Sequence, residues 1–371
     1  MVEWKKLGEV CNSLKKETIK QGSLIENGKY PVINSGVTLY GWYNSFNNEG
    51  KAFTFASRGE YAGFITYMSQ NFWAGGLCYP YRSKKEESIL TKYVYLYLKN
   101  KERVIMDTLV MRGGIPALNK ADVDKIQIPI PSLEEQNRIV GILDTFTDSI
   151  ENLKQQIAQR RKQYEFYRDQ LLNVEGKETK LIGDLFEFKN GLNKEKKYFG
   201  QGNPIVNYTD VYHNNKLTKS ILKGRVTLED KEIERYRVFR GDVFFTRTSE
   251  TPEEIGYAAV LIDDIEDCTF SGFLLRARPI TNLLLPEYCG YCFSAYKVRK
   301  EIIKLSTYTT RALTNGKSLS KIRIPVPPLS EQSSIVSILD TFEASISNLE
   351  AQLEQRQKQY EYYRNKLLTF E

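Results

Sequence analysis

Apolar residues recur at alternating steps of four and three at Ile139, Leu143, Phe146, Ile150, Leu153, Ile157, Tyr164, Tyr167 and Leu171. The rhythm returns at Ile335, Leu339, Phe342, Ile346, Leu349, Leu353, Tyr360, Tyr363 and Leu367. Sustained over four heptads, such a pattern predicts a coiled-coil seam rather than an ordinary amphipathic face. Two helices of about 40 residues follow, each roughly 60 Å long at about 1.5 Å per residue. Arg160 and Arg356 interrupt the two seams at equivalent places. A charge there either fixes register at a cost in pairing or marks where the helices turn toward a partner. Each helix is preceded by an extended, Pro-punctuated stretch, Ile128, Pro129 and Pro131 in one case and Ile324, Pro325 and Pro327 in the other. Ser132 and Glu135 have capping-box spacing, whereas Pro328 replaces the Ser in the second copy.

The two runs are copies. Residues 126–175 and 322–371 align without a gap at an offset of 196, with 30 of 50 positions identical. The blocks that precede them share layout but not sequence. Leu7-Gly8-Glu9-Val10 matches Ile182-Gly183-Asp184-Leu185, and a strand-rich stretch with many Gly and aromatic residues follows in both. LTKYVYLYLKN at 90–100 then matches LPEYCGYCFSA at 285–295 as a short helix. From Glu175 to Leu185 is ten residues, and joining Glu371 to Met1 would make the step from Glu371 to Val10 ten as well. This predicts a pseudo-twofold ring of block, helix, block, helix, with the termini close together and the long helices antiparallel.

Composition adds a charge pattern. The 371 residues include 53 Lys and Arg, 46 Asp and Glu, one His and five Cys. Residues 1–125 carry 18 basic and 12 acidic groups, 126–175 carry 6 and 8, 176–321 carry 24 and 19, and 322–371 carry 5 and 7. Two basic blocks separated by acidic helices suit two surfaces for a polyanion, although such an excess also serves solubility. No run of 18 apolar residues occurs, and MVEWKKLGEV lacks a signal peptide's apolar region, so the expected location is cytoplasmic. One His and five irregularly spaced Cys argue against zinc, disulfides and His-dependent catalysis; no metal or cofactor is expected.

Catalytic signatures are missing too: there is no Asn/Asp-Pro-Pro-aromatic tetrapeptide, no phosphate-binding G-x-x-x-x-G-K-[ST] and no glycine-rich cofactor turn. His213 reads as a surface-loop residue. Cys289 and Cys292 have thioredoxin-like spacing, but they fall on Val94 and Tyr97 of the matching helix and read as core.

At the paired openings IPIPSLEEQ…ILDTF and IPVPPLSEQ…ILDTF the chain resembles, over its whole length, the specificity (S) subunit of type I restriction-modification enzymes. GDVFFTRTSETPEEIGYAAV at 241–260 is similar to a target-recognition domain of that family, and AFTFASRGEYAGFITY at 52–67, with NFWAGGLCY after it, to one from another branch. The chain departs from longer members in lacking an added N-terminal helical segment and in its short first block. The resemblance implies an α+β fold with two target-recognition domains separated by an antiparallel two-helix coiled coil. Its boundaries would be 1–131 and 176–327 for the domains, and 132–175 and 328–371 for the helices. It also implies a non-catalytic subunit that reads a bipartite double-stranded DNA site. The expected partners are two adenine methyltransferase (M) subunits and restriction/translocase (R) subunits. The rivals are the specificity subunit of a fused methyltransferase-nuclease system, a coiled-coil adaptor that does not touch nucleic acid, and a self-sufficient enzyme, which the missing motifs disfavour.

Candidate DNA contacts follow from residue type. With Phe55 aligned to Phe245, Arg58 and Arg247 both stand where a strand enters a polar loop, and an Arg fork there can reach guanine O6 and N7 in the major groove. The alternative is pairing with Glu60 or Glu250, or contact with phosphate alone. Ser57, Thr246 and Thr248 flank these arginines, and Asn34, Ser35, Trp42, Tyr61, Arg112, Tyr208 and Arg311 are further loop candidates. The aromatic triplets at the helix ends, Tyr164, Phe166 and Tyr167, then Tyr360, Tyr362 and Tyr363, exceed what one seam needs and are the candidate partner surface.

Overall fold

The computed structural model describes residues 2–370. The long helices span Leu133–Leu171 and Leu329–Leu367, 39 residues each. Packing divides the chain into two compact units: Met1–Gln155 with Ala351–Glu371, and Gln156–Glu350. Each block is thus grouped with half of each long helix.

In unit 1 the Pro-punctuated strand Gln127–Ile130 pairs antiparallel with Glu3–Lys6. Pro129 lacks an N–H, which this two-stranded edge tolerates. The main sheet runs in the order Cys11–Ser13, Cys78–Ser83, Ala52–Ala56, Ile65–Met68. The strand AFTFA is buried throughout, and its alternating side chains serve two cores. Phe53 and Phe55 face the helix Thr91–Asn100 side with Tyr93, Leu98 and Leu143, while Ala52 packs with Ile33, Phe72 and Cys78 on the other. A second sheet joins Tyr30–Ile33 antiparallel to Gly41–Tyr43 and parallel to Trp73–Ala74.

Unit 2 repeats the plan and adds to it. Thr179–Leu181 pairs with Arg323–Pro325. The main sheet has five strands, Phe186–Asn190, Leu274–Pro279, Val243–Thr246, Ala258–Leu261 and Lys216–Leu217. Val243 and Phe245 face Tyr288 and Phe293, while Phe244 faces Val206 and Phe270. Helices Tyr208–His213 and Asp230–Tyr236 have no counterpart among the described residues of unit 1.

The scaffold contacts recur atom for atom. Tyr93 donates its hydroxyl hydrogen to Pro129 O at 2.9 Å, and Tyr288 to Pro325 O at 3.2 Å. Gln136, fully buried, accepts from Leu90 N at 2.9 Å and donates to Ser88 O at 3.1 Å and Pro131 O at 3.0 Å. Gln332 does the same with Leu285 N, Leu283 O and Pro327 O, all at 2.8 Å. These two glutamines tie the start of each long helix to the loop before the short helix. Ser132 Oγ accepts from Glu135 N at 3.3 Å, but the Glu135 carboxylate turns to Arg138, so only half of the expected capping box forms.

Within each unit the helix halves run antiparallel. In unit 1, Phe146 stacks on Tyr363 at 5.3 Å, and in unit 2 Tyr167 stacks on Phe342 at 5.5 Å. The seam-breaking arginines find these same rings: Arg356 lies 5.6 Å from Phe146 and Arg160 5.9 Å from Phe342. Each charge is thus accommodated by a ring face on the facing helix.

The chain ends meet on one side chain. Trp4 and Phe370 each pack against Tyr97, both with centroids 6.4 Å apart. Cys289 and Cys292 lie buried in the helix Pro286–Cys292, where burial raises both thiols, Cys292 to about 12 and Cys289 well above its ordinary value. No helix among the described residues is long and apolar enough to cross a membrane.

Candidate nucleic-acid interface

In unit 2 the strand Val243–Thr246 ends under a small three-stranded sheet made of Thr248–Ser249, Ala312–Leu313 and Thr307–Tyr308. Arg247 is fixed at the junction. Its amide donates to Phe273 O at 3.2 Å, its carbonyl accepts from Thr314 N at 3.0 Å, and its Nη1 donates to Gly272 O at 3.0 Å. One of five guanidinium N–H groups is thereby used, and the half-buried fork is aimed rather than floppy. Glu250 pairs instead with Arg311, 3.4 Å away, so it does not neutralise Arg247. Tyr208 stacks on Tyr212 with ring centroids 5.8 Å apart, and its hydroxyl pKa is raised by burial and then by the Glu254 charge. Tyr212 donates to Glu254 at 2.6 Å, a bond that, with burial second, moves it up to about 12. The structure therefore gathers Arg247, Thr248, Tyr208 and Arg311 around one sheet end.

In unit 1 the equivalent hairpin is Val110–Met111 with Ala117–Leu118. Arg58 bridges Ala117, and Gly59, at φ +90°, turns the chain and donates its amide to Pro116 O. Arg58 and Tyr61 are exposed, and Arg112 in the hairpin turn lies 3.6 Å from Asp107. No ion pair joins Arg58 to Glu60 among the described residues. Trp42 lies in the second sheet, and Asn34 and Ser35 in the loop that leaves its strand Tyr30–Ile33. Asn34 Oδ1 accepts from Leu77 N at 2.9 Å, and Leu77 O accepts from Ser57 N at 2.9 Å, which links that sheet to the Arg58 strand.

These bonds correct the pairing of the two arginines. Ser57 donates to Leu77 O and accepts from Leu118 N, as Arg247 does with Phe273 O and Thr314 N; each partner is displaced by 196 residues. Ser57 is therefore the counterpart of Arg247, and Arg58 of Thr248. Successive strand side chains point to opposite faces, so the two arginines are offered from opposite sides of equivalent strands. The alignment of Phe55 with Phe245 holds; the shift arises because Arg58 follows by three residues and Arg247 by two.

Two sequence candidates lie inside the protein. Thr246 is 0% and Ser57 4% exposed, because the strand ends are sandwiched between the sheet neighbours and the hairpins, and neither side chain reaches the surface. Leu77, 41% exposed, and Phe273, 66% exposed, occupy matching turns beside these strand ends and escaped the sequence reading. Their signal was the 196-residue offset itself, carried into the divergent blocks.

Of the helix-end aromatics, Phe166 and Tyr362 are 63% and 59% exposed. Tyr164 is half-buried and donates to Glu343 at 3.2 Å, and Tyr360 is half-buried as well, so both serve the seam of their own unit. Tyr167 and Tyr363 each give one ring face to the opposite helix.

The family model described as "Type I restriction modification DNA specificity domain" matches residues 1–160 and 174–357. The Escherichia coli EcoR124I/EcoR124II type I restriction enzyme specificity subunit is 28% identical over 404 aligned residues, spanning 100% of this chain and 94% of its own. A putative type I restriction enzyme specificity subunit of Haemophilus influenzae is 28% identical, covering 100% of this chain and 96% of its own. Among solved structures, the type I restriction-modification S subunit of M. genitalium superposes with a TM-score of 0.66 at 16% identity, covering 100% of this chain and 97% of that one. A chain from a type I R-M assembly superposes at 0.60 with 17% identity, covering 99% and 97%. These structural likenesses concern the fold.

Proposed function

This chain belongs to the type I restriction-modification DNA specificity family, and from that premise we propose that each of its units reads one half of a bipartite duplex site. The carrying observation is the pair of matched strand ends, alike in backbone bonding but bearing different side chains. Arg247 with Thr248, Tyr208 and Arg311 forms one reader. Arg58 with Tyr61 and Arg112 forms the other, with Trp42 on the adjoining sheet and Asn34 and Ser35 in the loop beside it. Thr246 and Ser57 are left out because they are buried. A bidentate Arg–guanine contact supplies about 1 to 3 kcal/mol of discrimination, whereas Arg112 and Arg311, each near a carboxylate, suit phosphate contact better.

The chain supplies specificity and no catalytic group, and its partners are two methyltransferase subunits and, in the full complex, restriction subunits. Phe166 and Tyr362, exposed at matching places on the helices, are the side chains we assign to those partners. Mapping methylated bases in DNA from cells expressing the chain with its methyltransferase tests this reading. Two short sequences at a fixed gap are expected; one continuous motif would contradict it.

A further inference from the structure

The second unit has a cleft of about 500 Å3 between its main sheet and the helix Asp230–Tyr236. Lys189, Arg235, Arg237, Arg276, Arg278 and Phe239 line it, with Asp230 and Glu234 also on its wall. Arg278 is held by Asp242 at 2.9 and 2.7 Å, and Arg237 by Asp267 at 2.6 Å. No ion pair to a carboxylate holds Lys189, Arg235 or Arg276 among the described residues. Arg276 is 4% exposed; its Nη1 donates to Arg237 O at 3.2 Å, and its Nε has no hydrogen-bond partner. Buried polar groups are rarely left in that state. Lys189, directly opposite Arg276 in the sheet, is held below the usual lysine range by burial and then by Arg276, Arg235 and Arg278.

The scaffold does not require these cations. At the matching place in unit 1, Pro80 stands for Arg276, and Leu14, whose amide donates to Pro80 O, stands for Lys189. Three cations without carboxylate partners and an unpartnered N–H are what an oxyanion completes.

We propose that this cleft binds a phosphate group, and that in the duplex-bound protein this is a backbone phosphodiester beside the bases faced by Arg247. The second clause rests on the proposed function. Arg276 lies three residues along its strand from Phe273, which bonds Arg247, a separation of roughly 10 Å at about 3.3 Å per residue. That is comparable to the major groove's depth of about 8.5 Å, from base edges to the phosphate rim. A phosphate monoester in solution offers the same chemistry.

The test uses the full chain and the K189Q/R235Q variant, with K189R as the charge-retaining control. Inorganic phosphate is titrated against chloride at matched ionic strength while thermal unfolding is followed. Duplex binding is measured across a salt series. Saturable stabilisation is expected in the wild type and K189R and not in the double variant. The slope of log K against log salt should fall by about one in the double variant with base preference unchanged. Phosphate stabilisation without a slope change would support the cleft and assign it to a free phosphate. No saturable phosphate effect together with an unchanged slope overturns the proposal. Failure of the wild type to bind duplex would sink the proposed function, while the phosphate arm still judges the cleft.

Discussion

In unit 1 a buried Gln136 and in unit 2 a buried Gln332 make the same three hydrogen bonds, yet at the residue that makes equally matched backbone bonds the two units place Ser57 and Arg247. The scaffold is repeated at the level of atoms and the reading positions are not. A repeated frame that holds strand ends rigidly leaves their side chains free to differ, and a one-residue shift moves an Arg to the opposite face of the strand. Unit 2 has further diverged by two helices and a cation-lined cleft where unit 1 has Pro80 and Leu14.

The largest effects should come from breaking what the units share. Gln136→Ala and Gln332→Ala each remove three bonds and strand buried backbone groups, at about 1 to 3 kcal/mol for each group left unsatisfied. Each should lower the denaturation midpoint substantially and by similar amounts, read by circular dichroism. A large loss from one and none from the other would mean that the repeated contacts are not equivalent in energy.

Next come the positions that differ. Arg247→Ala should relax one base position by about 1 to 3 kcal/mol, measured by competition with single-base duplex variants, with stability little changed. Arg58→Ala should do so in the other half-site. A uniform weakening over all sequences with a lower salt slope would instead mark a phosphate contact.

Smaller still is the seam. Arg160→Ala and Arg356→Ala each remove a half-buried cation from a ring face, and each should cost about 0.5 to 1 kcal/mol in chemical denaturation. Stabilisation on removal would mean that the charge is only tolerated there. Smallest is the effect of joining Glu371 to Met1 and reopening near Gly176. Trp4 and Phe370 already share Tyr97, so the permutant should fold with a nearly unchanged midpoint. An insoluble permutant would refute the ring.

The helices and the duplication were legible because a heptad seam and 30 identities in 50 positions need no tertiary context. The antiparallel halves and the termini beside Tyr97 follow the same symmetry. Gln136 and Gln332 were not legible: in sequence they read as polar first-turn residues, and only the loops folded over them bury their carboxamides. Thr246 and Ser57 looked like loop polar groups because the covering hairpin comes from more than 50 residues away. Arg58 and Arg247 were correctly put at strand ends, but their register depended on Leu77 and Phe273 carbonyls that no local pattern reveals. Arg276 and Lys189 lie far apart in sequence and become a pair only across the sheet.

The central claim is that two independent readers sit on one repeated frame, and a double-mutant cycle tests it directly. The binding free energies of wild type, Arg58→Ala, Arg247→Ala and the double variant would be measured on the mapped site and on duplexes altered in either half. Additivity within about 0.5 kcal/mol is expected for sites that share no partners, with each substitution relaxing only its own half. A coupling well above 1 kcal/mol, or relaxation of both halves by either single substitution, would contradict the account and require one composite surface.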